Sequence, residues 1–177
     1  MDAARLAEIE ENDRRRVSAH EAAHLTVVLA LGWRARAYIW RVDAPVNINN
    51  TSWLGRCERR PHRSAKSLGV NRNAVIGIAG VVGEALHENP DITSFEIEEC
   101  MADNIDWVPS PTDLALITGC RLRRGTLIDR ALHLLRKHKG FWEWATRQLY
   151  EEHDVTDGEA DDAFAAHIES GGVVDVE

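Results

Sequence analysis

The stretch Val17-Ser18-Ala19-His20-Glu21-Ala22-Ala23-His24-Leu25-Thr26-Val27-Val28-Leu29-Ala30-Leu31 decides how the rest of the chain is read. At its centre, His20 to His24 form an H-E-x-x-H sequence. Residues i and i+4 of an α-helix lie one above the other on one face, so both imidazoles can reach a single metal ion. Zinc accepts neutral imidazole nitrogen and is usually four-coordinate. Glu21, beside the first histidine, is then placed to act as general base on a water molecule activated by the metal. The apolar run 25–31 buries the same helix. Imidazoles carried into a core need hydrogen-bond partners or a metal. A histidine pair satisfied by hydrogen bonds alone is the plainer alternative. A catalytic metal also needs a third protein ligand and an open position. Glu84, His87, Asp91, Asp103, Asp106 and Asp113 are candidates, and spacing does not choose among them.

Working outward, residues 2–31 read as helical, with Leu6, Ile9, Val17, Leu25, Val28 and Leu31 on apolar faces and Gly32 as the stop. Asn12 or Asp13 could cap a second helix, but Arg14 to Arg16 would then oppose its dipole, and one longer helix is the alternative. Residues 35–43 alternate and are rich in β-formers. A turn at Pro45, Asn47, Asn49 and Asn50 leads to a returning strand over 53–58, then a loop over 59–70. A second apolar helix is expected over 71–88. Its Gly77, Gly80 and Gly83 form one smooth side suited to close packing. Residues 91–110 read as irregular and acidic. Ser110 or Thr112 is placed to cap a helix starting near Pro111. Residues 125–152 read as helical with a break at Gly140, and Thr156 to Glu159 open a last helix to Ile168. The expectation is a mainly α (α+β) chain with a small β-ribbon: one domain over residues 1–170 and a frayed tail over 171–177.

Composition narrows the function. The 177 residues carry 21 Lys+Arg against 29 Asp+Glu, a formal charge of −8. That balance disfavours nucleic acid and anionic membranes as partners. No apolar run approaches the ~20 residues of a membrane span. Met1 to Arg16 is too charged for a signal peptide. No P-loop sequence occurs. Cys57, Cys100 and Cys120 are odd in number and widely spaced, as expected for reduced thiols in a cytoplasmic protein.

The segment Val17 to Val27 resembles the peptidase domain of FtsH-type ATP-dependent zinc metalloproteases, whose motif reads close to H-E-A-G-H-A-L-V. The likeness continues in order. Arg36 to Val42 followed by Trp53-Leu54-Gly55-Arg56 is similar to that family's strand and A-L-G-Y turn. Ile78 to Leu86 is similar to its helix L-G-G-R-A-A-E-E-L. Ser110-Pro111-Thr112-Asp113-Leu114 stands where the family has A-S-N-D-L, and Trp144 to Ala163 is similar to the final helix pair. The resemblance covers about residues 12–165. It implies a helical, zincin-like FtsH-type peptidase fold standing without the family's ATPase and membrane segments. It also implies zinc held by His20, His24 and Asp113, Glu21 as base, and Glu84 as a residue orienting a ligand imidazole. Where this chain departs from the motif, at Ala23 for glycine and in an acidic stretch before Asp113, Asp103, Asp106 and Glu84 are the substitutes for the third ligand.

The expected activity is zinc-dependent hydrolysis of peptide bonds in flexible or unfolded polypeptides. The alternative is a non-catalytic binding or regulatory module with structural or lost zinc. A homo-oligomer or a separate partner protein is compatible with either. The six tryptophans are expected mainly in packing, with Trp40 and Trp53 as candidates for a substrate groove. Segment 36–42 is a candidate edge for an extended peptide.

Overall fold

Helix α1 (Ala3–Ala30) runs unbroken through the region where a second cap was conceivable. The computed structural model describes residues 2–43, 52–60, 68–103 and 107–171, and all that follows concerns these. Asp2 caps α1 by accepting from the Arg5 N–H at 2.8 Å. Asp13 caps nothing. Its Oδ2 accepts from the backbone N–H groups of Ser52 and Trp53 at 2.6 and 2.8 Å, and its Oδ1 from Arg16 at 2.9 Å. The three arginines are each occupied in mid-helix. Arg14 lies over the rings of Trp53 and Tyr150, Arg15 pairs with Glu11, and Arg16 with Asp13 and Glu84. They therefore never meet a free helix N-terminus, and the dipole penalty does not arise.

The C-terminal half of α1 is sheathed on every side, with all of residues 17–30 buried except the partly exposed His20. Helix α2 (Val70–Glu88) crosses it. Leu25, Val27, Val28, Ile78, Val81 and Val82 are closed from solvent between them and their neighbours. Each buried aliphatic side chain contributes roughly 1.5–3 kcal/mol relative to exposure. The glycine stripe explains the close approach. A Cβ on Gly83 would collide with Ala23 and lie 2.9 Å from the Ala19 carbonyl oxygen. Space for the methyl of Ala23 is therefore found on α2.

Strand β1 (Arg34–Arg41) pairs antiparallel with β2 (Trp53–Arg60), with Ala37 opposite Cys57 and Ile39 opposite Gly55. A two-residue strand, β3 (Asp154–Val155), pairs with the other side of β1 at Ala37 and Tyr38. The order is thus β2-β1-β3. The expected free edge at 36–42 is consequently the middle of the sheet, and β2 is the outer strand beside the site. Ala35, Ala37 and Ile39 face the core, whereas Trp40 is exposed and stacks on Tyr38. Trp53 is buried against Arg14 and His153.

The second half is helical. Helix α3 (Ser94–Ala102) occupies part of the stretch expected to be irregular. Thr93 and Glu96 form a reciprocal capping box at its start. Helix α4 (Pro111–Ile117) starts as expected, with Ser110 as cap. Helices α5 (Arg124–Lys137) and α6 (Lys139–Glu152) are broken at His138, two residues before the expected Gly140. Helix α7 (Asp157–Glu169) opens on the Thr156–Glu159 capping box. The turn at Pro45 to Asn50, most of the loop 59–70, Asp106 and tail residues 172–177 lie outside the described residues. No described helix is long and apolar enough to cross a membrane.

Candidate metal centre

Two elements, α1 and α4, deliver three ligand atoms to one point. Helical spacing stacks His20 and His24 on α1, with their Nε2 atoms 3.0 Å apart. The first turn of α4 brings Asp113, whose Oδ2 lies 3.3 Å from His20 Nε2 and whose Oδ1 lies 3.2 Å from His24 Nε2. All three ligand atoms fall within 4.8 Å of one another. Ser110 steers the carboxylate: its hydroxyl donates to Asp113 Oδ2 at 2.7 Å and accepts from the Asp113 N–H at 3.2 Å. Gly77 makes room, since a Cβ there would lie 2.7 Å from the Asp113 carbonyl oxygen and 2.9 Å from Leu116 Cβ. Gly80 does the same for His20, whose Cδ2 would be 2.6 Å from a Cβ at that position.

The far side of each imidazole fixes its tautomer. His20 Nδ1 donates to Glu84 Oε1 at 2.5 Å, and His24 Nδ1 donates to the Ile76 carbonyl at 2.8 Å. A carboxylate and a carbonyl can only accept, so both Nδ1 atoms carry hydrogen. In neutral rings both Nε2 atoms are then lone pairs. Two imidazole lone pairs and a carboxylate converge with no donor between them, and such a donor set calls for a cation. Without a metal that cation is a proton. Burial opposes a charged His20, but hydrogen bonds to Asp113 and Glu84 and the charge of Glu21 outweigh it, pushing its pKa up to about 10. For Asp113, burial is outweighed by bonds to His20 and His24, which hold its carboxyl well below the usual carboxylate range. These residues fit a bound metal ion.

Glu21 is 7% exposed, next to His20 on α1, and near enough for the charges of His20, His24 and Asp113 to act on it. Burial pushes its carboxyl upward, against the opposing pull of His20 and His24. A carboxylate made more basic in this way is suited to accepting a proton. Gly55 of β2 packs directly on it: a Cβ there would lie 2.7 Å from Glu21 Oε1. Arg16 donates to Glu84 Oε2 at 3.1 Å, holding the carboxylate that orients His20. Cys57 is near enough for the charges of Glu21 and Asp113 to act on it. Burial and those carboxylates push its thiol up, so it stays protonated and is a poor nucleophile and ligand.

Among the third-ligand candidates, Asp113 is the one at the cluster. Glu84 reaches His20 from behind, Asp103 ends α3 in solvent, and His87 and Asp91 are exposed. Asp106 is outside the described residues. The roles of Gly55 and of the Ile76 carbonyl were not read from the sequence. A glycine within a strand signals close approach of another group, which is the clue that was available for Gly55. A backbone carbonyl leaves no clue in residue type. No protein-family profile matches the chain, and no curated protein is significantly similar to it in sequence.

Proposed function

We propose that this protein is a zinc metallopeptidase of the FtsH-peptidase type, acting on flexible or unfolded polypeptides. The observation that carries this reading is the convergence of two Nε2 lone pairs and the Asp113 carboxylate beside a buried Glu21 of raised pKa. His20, His24 and Asp113 would hold the zinc. When bound, zinc supplies Lewis acidity toward the scissile carbonyl and acidifies water. Glu21 accepts the proton of the attacking water at its carboxylate and delivers it to the leaving amine nitrogen. Glu84 keeps the His20 proton on Nδ1, and His20 together with Arg16 keeps Glu84 ionised against its burial. An extended peptide would add along the outer edge of β2, the strand whose Gly55 packs on Glu21. Unpaired Cys57, Cys100 and Cys120 accord with a cytoplasmic setting.

The decisive experiment pairs metal analysis with cleavage. Protein prepared without chelator or histidine tag should carry about one zinc per chain. His24→Ala and Asp113→Ala should lose it. Glu21→Gln should retain zinc but no longer cleave an unstructured peptide. Undiminished zinc-dependent cleavage by Glu21→Gln would refute the assigned role, and failure of the wild type to bind supplied zinc would refute the reading as a whole.

A further inference from the structure

A cleft of about 440 Å³ opens where α1, α2, α5 and α6 meet, lined by none of the metal-site residues. Its floor is apolar, built by Leu86, Leu135, Trp142 and Tyr150. Its rim is cationic: Arg15 from α1, Arg136 from α5, and Lys139 and Arg147 from α6. Helix α6 sets the pattern. Residues 142, 146 and 150 repeat at i, i+4 and i+8 along the floor, and residues 139, 143 and 147 repeat along the adjacent rim. Eight residues of helix span about 12 Å, so Lys139 and Arg147 are held well apart along one wall.

The rim cations are only partly engaged by the chain itself. Lys139 lies 3.6 Å from Glu143, which is the only carboxylate among the lining residues. Arg15 pairs with Glu11, a partly exposed carboxylate at the edge of the cleft that also accepts from the Tyr150 hydroxyl. Arg136 spends one guanidinium N–H on the Ile92 carbonyl at 2.6 Å. Arg147 is exposed and has no ion pair among the described residues. This positive rim stands out on a chain of net charge −8. An apolar trough of this size holds one or two large side chains. A ligand with a single anion would engage one end of the rim, whereas cations spread over about 12 Å match carboxylates repeated along a chain.

We propose that this cleft docks an acidic linear segment of a partner polypeptide, with aromatic or aliphatic anchors on the apolar floor and flanking Asp and Glu on the cationic rim. The inference is independent of the metal site. Recognition of this kind is sequence-tolerant but charge-selective, and its electrostatic part weakens with salt.

The test uses the full chain and a labelled, tryptophan-free ten-residue peptide alternating Leu or Phe with Asp or Glu. A control peptide carries Lys in place of every acidic residue. Fluorescence anisotropy should show binding of the acidic peptide alone. Lys139→Glu with Arg147→Glu should weaken it by about tenfold or more. Thr146→Phe, which fills the floor without touching the charges, should weaken it as well. Circular dichroism checks that each variant is folded, and the filling variant with a salt titration serves if the charge reversal is not. Equal binding of both peptides, indifference to both variants, or no binding up to about 1 mM would overturn the proposal. So would complete displacement by single-stranded oligonucleotide, which would assign the rim to phosphates. Self-association abolished by the same variants, without peptide binding, would assign the cleft to a second copy and overturn it too.

Discussion

Gly55 leaves no room for a side chain over Glu21: a Cβ there would sit 2.7 Å from Glu21 Oε1 and 2.8 Å from its Cδ. Gly55→Ala must therefore displace the Glu21 carboxylate or the β2 strand. Displacing a reacting group by about 1 Å lowers rate by on the order of 100-fold. The expected outcome is a loss of peptide cleavage of that size with bound metal unchanged, because the atoms nearest a new methyl at Gly55 all belong to Glu21. Cleavage assays with parallel metal analysis check it. Loss of both together would show that β2 supports the ligands as well.

Glu84→Gln removes the charged acceptor behind His20 while keeping shape. Loss of such an outer partner typically lowers metal affinity by about 10–100-fold. Chelator competition should show a drop in that range, with Arg16→Gln giving a smaller drop in the same direction. An unchanged affinity in Glu84→Gln would mean that the His20 orientation is set by packing against Gly80 alone.

Protons and metal compete for the same lone pairs. His20 in the metal-free fold has its pKa raised from 6.5 to about 10. Its contribution to metal-free stability is thus complete below pH 6.5 and is lost as pH rises through about 10. Asp113 and Glu84 have depressed values, so their contribution is present above the normal carboxylate range and is lost as pH falls through the depressed values. Metal affinity should rise by about tenfold per pH unit across the neutral range, because binding releases the His20 proton. Isothermal titrations in buffers of different ionisation heat measure the released proton directly. A flat affinity between pH 6.5 and 9 would contradict the protonated pair.

The contact between Ala23 and Gly83 invites a swap. Gly83→Ala puts a methyl against Ala23 and the Ala19 carbonyl and should destabilise the fold by about 1–3 kcal/mol. Ala23→Gly should cost about 1 kcal/mol through helix propensity. Combining them should be better than the sum of the two, yet below wild type, because the Ala19 carbonyl still opposes the new methyl. Urea unfolding of the four proteins gives the coupling term. Strict additivity would mean that the helices do not meet here as described.

Much of this was legible beforehand because it rests on local chemistry. The H-E-x-x-H spacing stacks two imidazoles wherever a helix forms, and Thr156 with Glu159 is a capping signal readable on its own. The T-x-x-E of Thr93 to Glu96 carried the same signal, yet the acidic surroundings drew the reading toward an irregular segment. Asp113 was indicated only through resemblance, since proximity across some ninety residues depends on how α4 meets α2 rather than on spacing. The glycine stripe announced a close approach without saying to what. Gly77, Gly80 and Gly83 turn out to admit α4, an imidazole and the backbone of α1 in turn. Strand β3 was unreadable because its pairing covers only Ala37 and Tyr38 and is sustained by the helices flanking it.

Helix α1 is wet over its first four turns and dry over the remainder, and His20 and His24 sit just past that boundary. The backbone amides of residues 3–12 can open without disturbing the core, whereas those of 20–30 can open only when the α1–α2 packing comes apart. Hydrogen exchange should therefore step from fast to near-global protection within a single helix. A metal ion held by His20 and His24 would therefore keep two of its three ligands through any fraying of the start of α1.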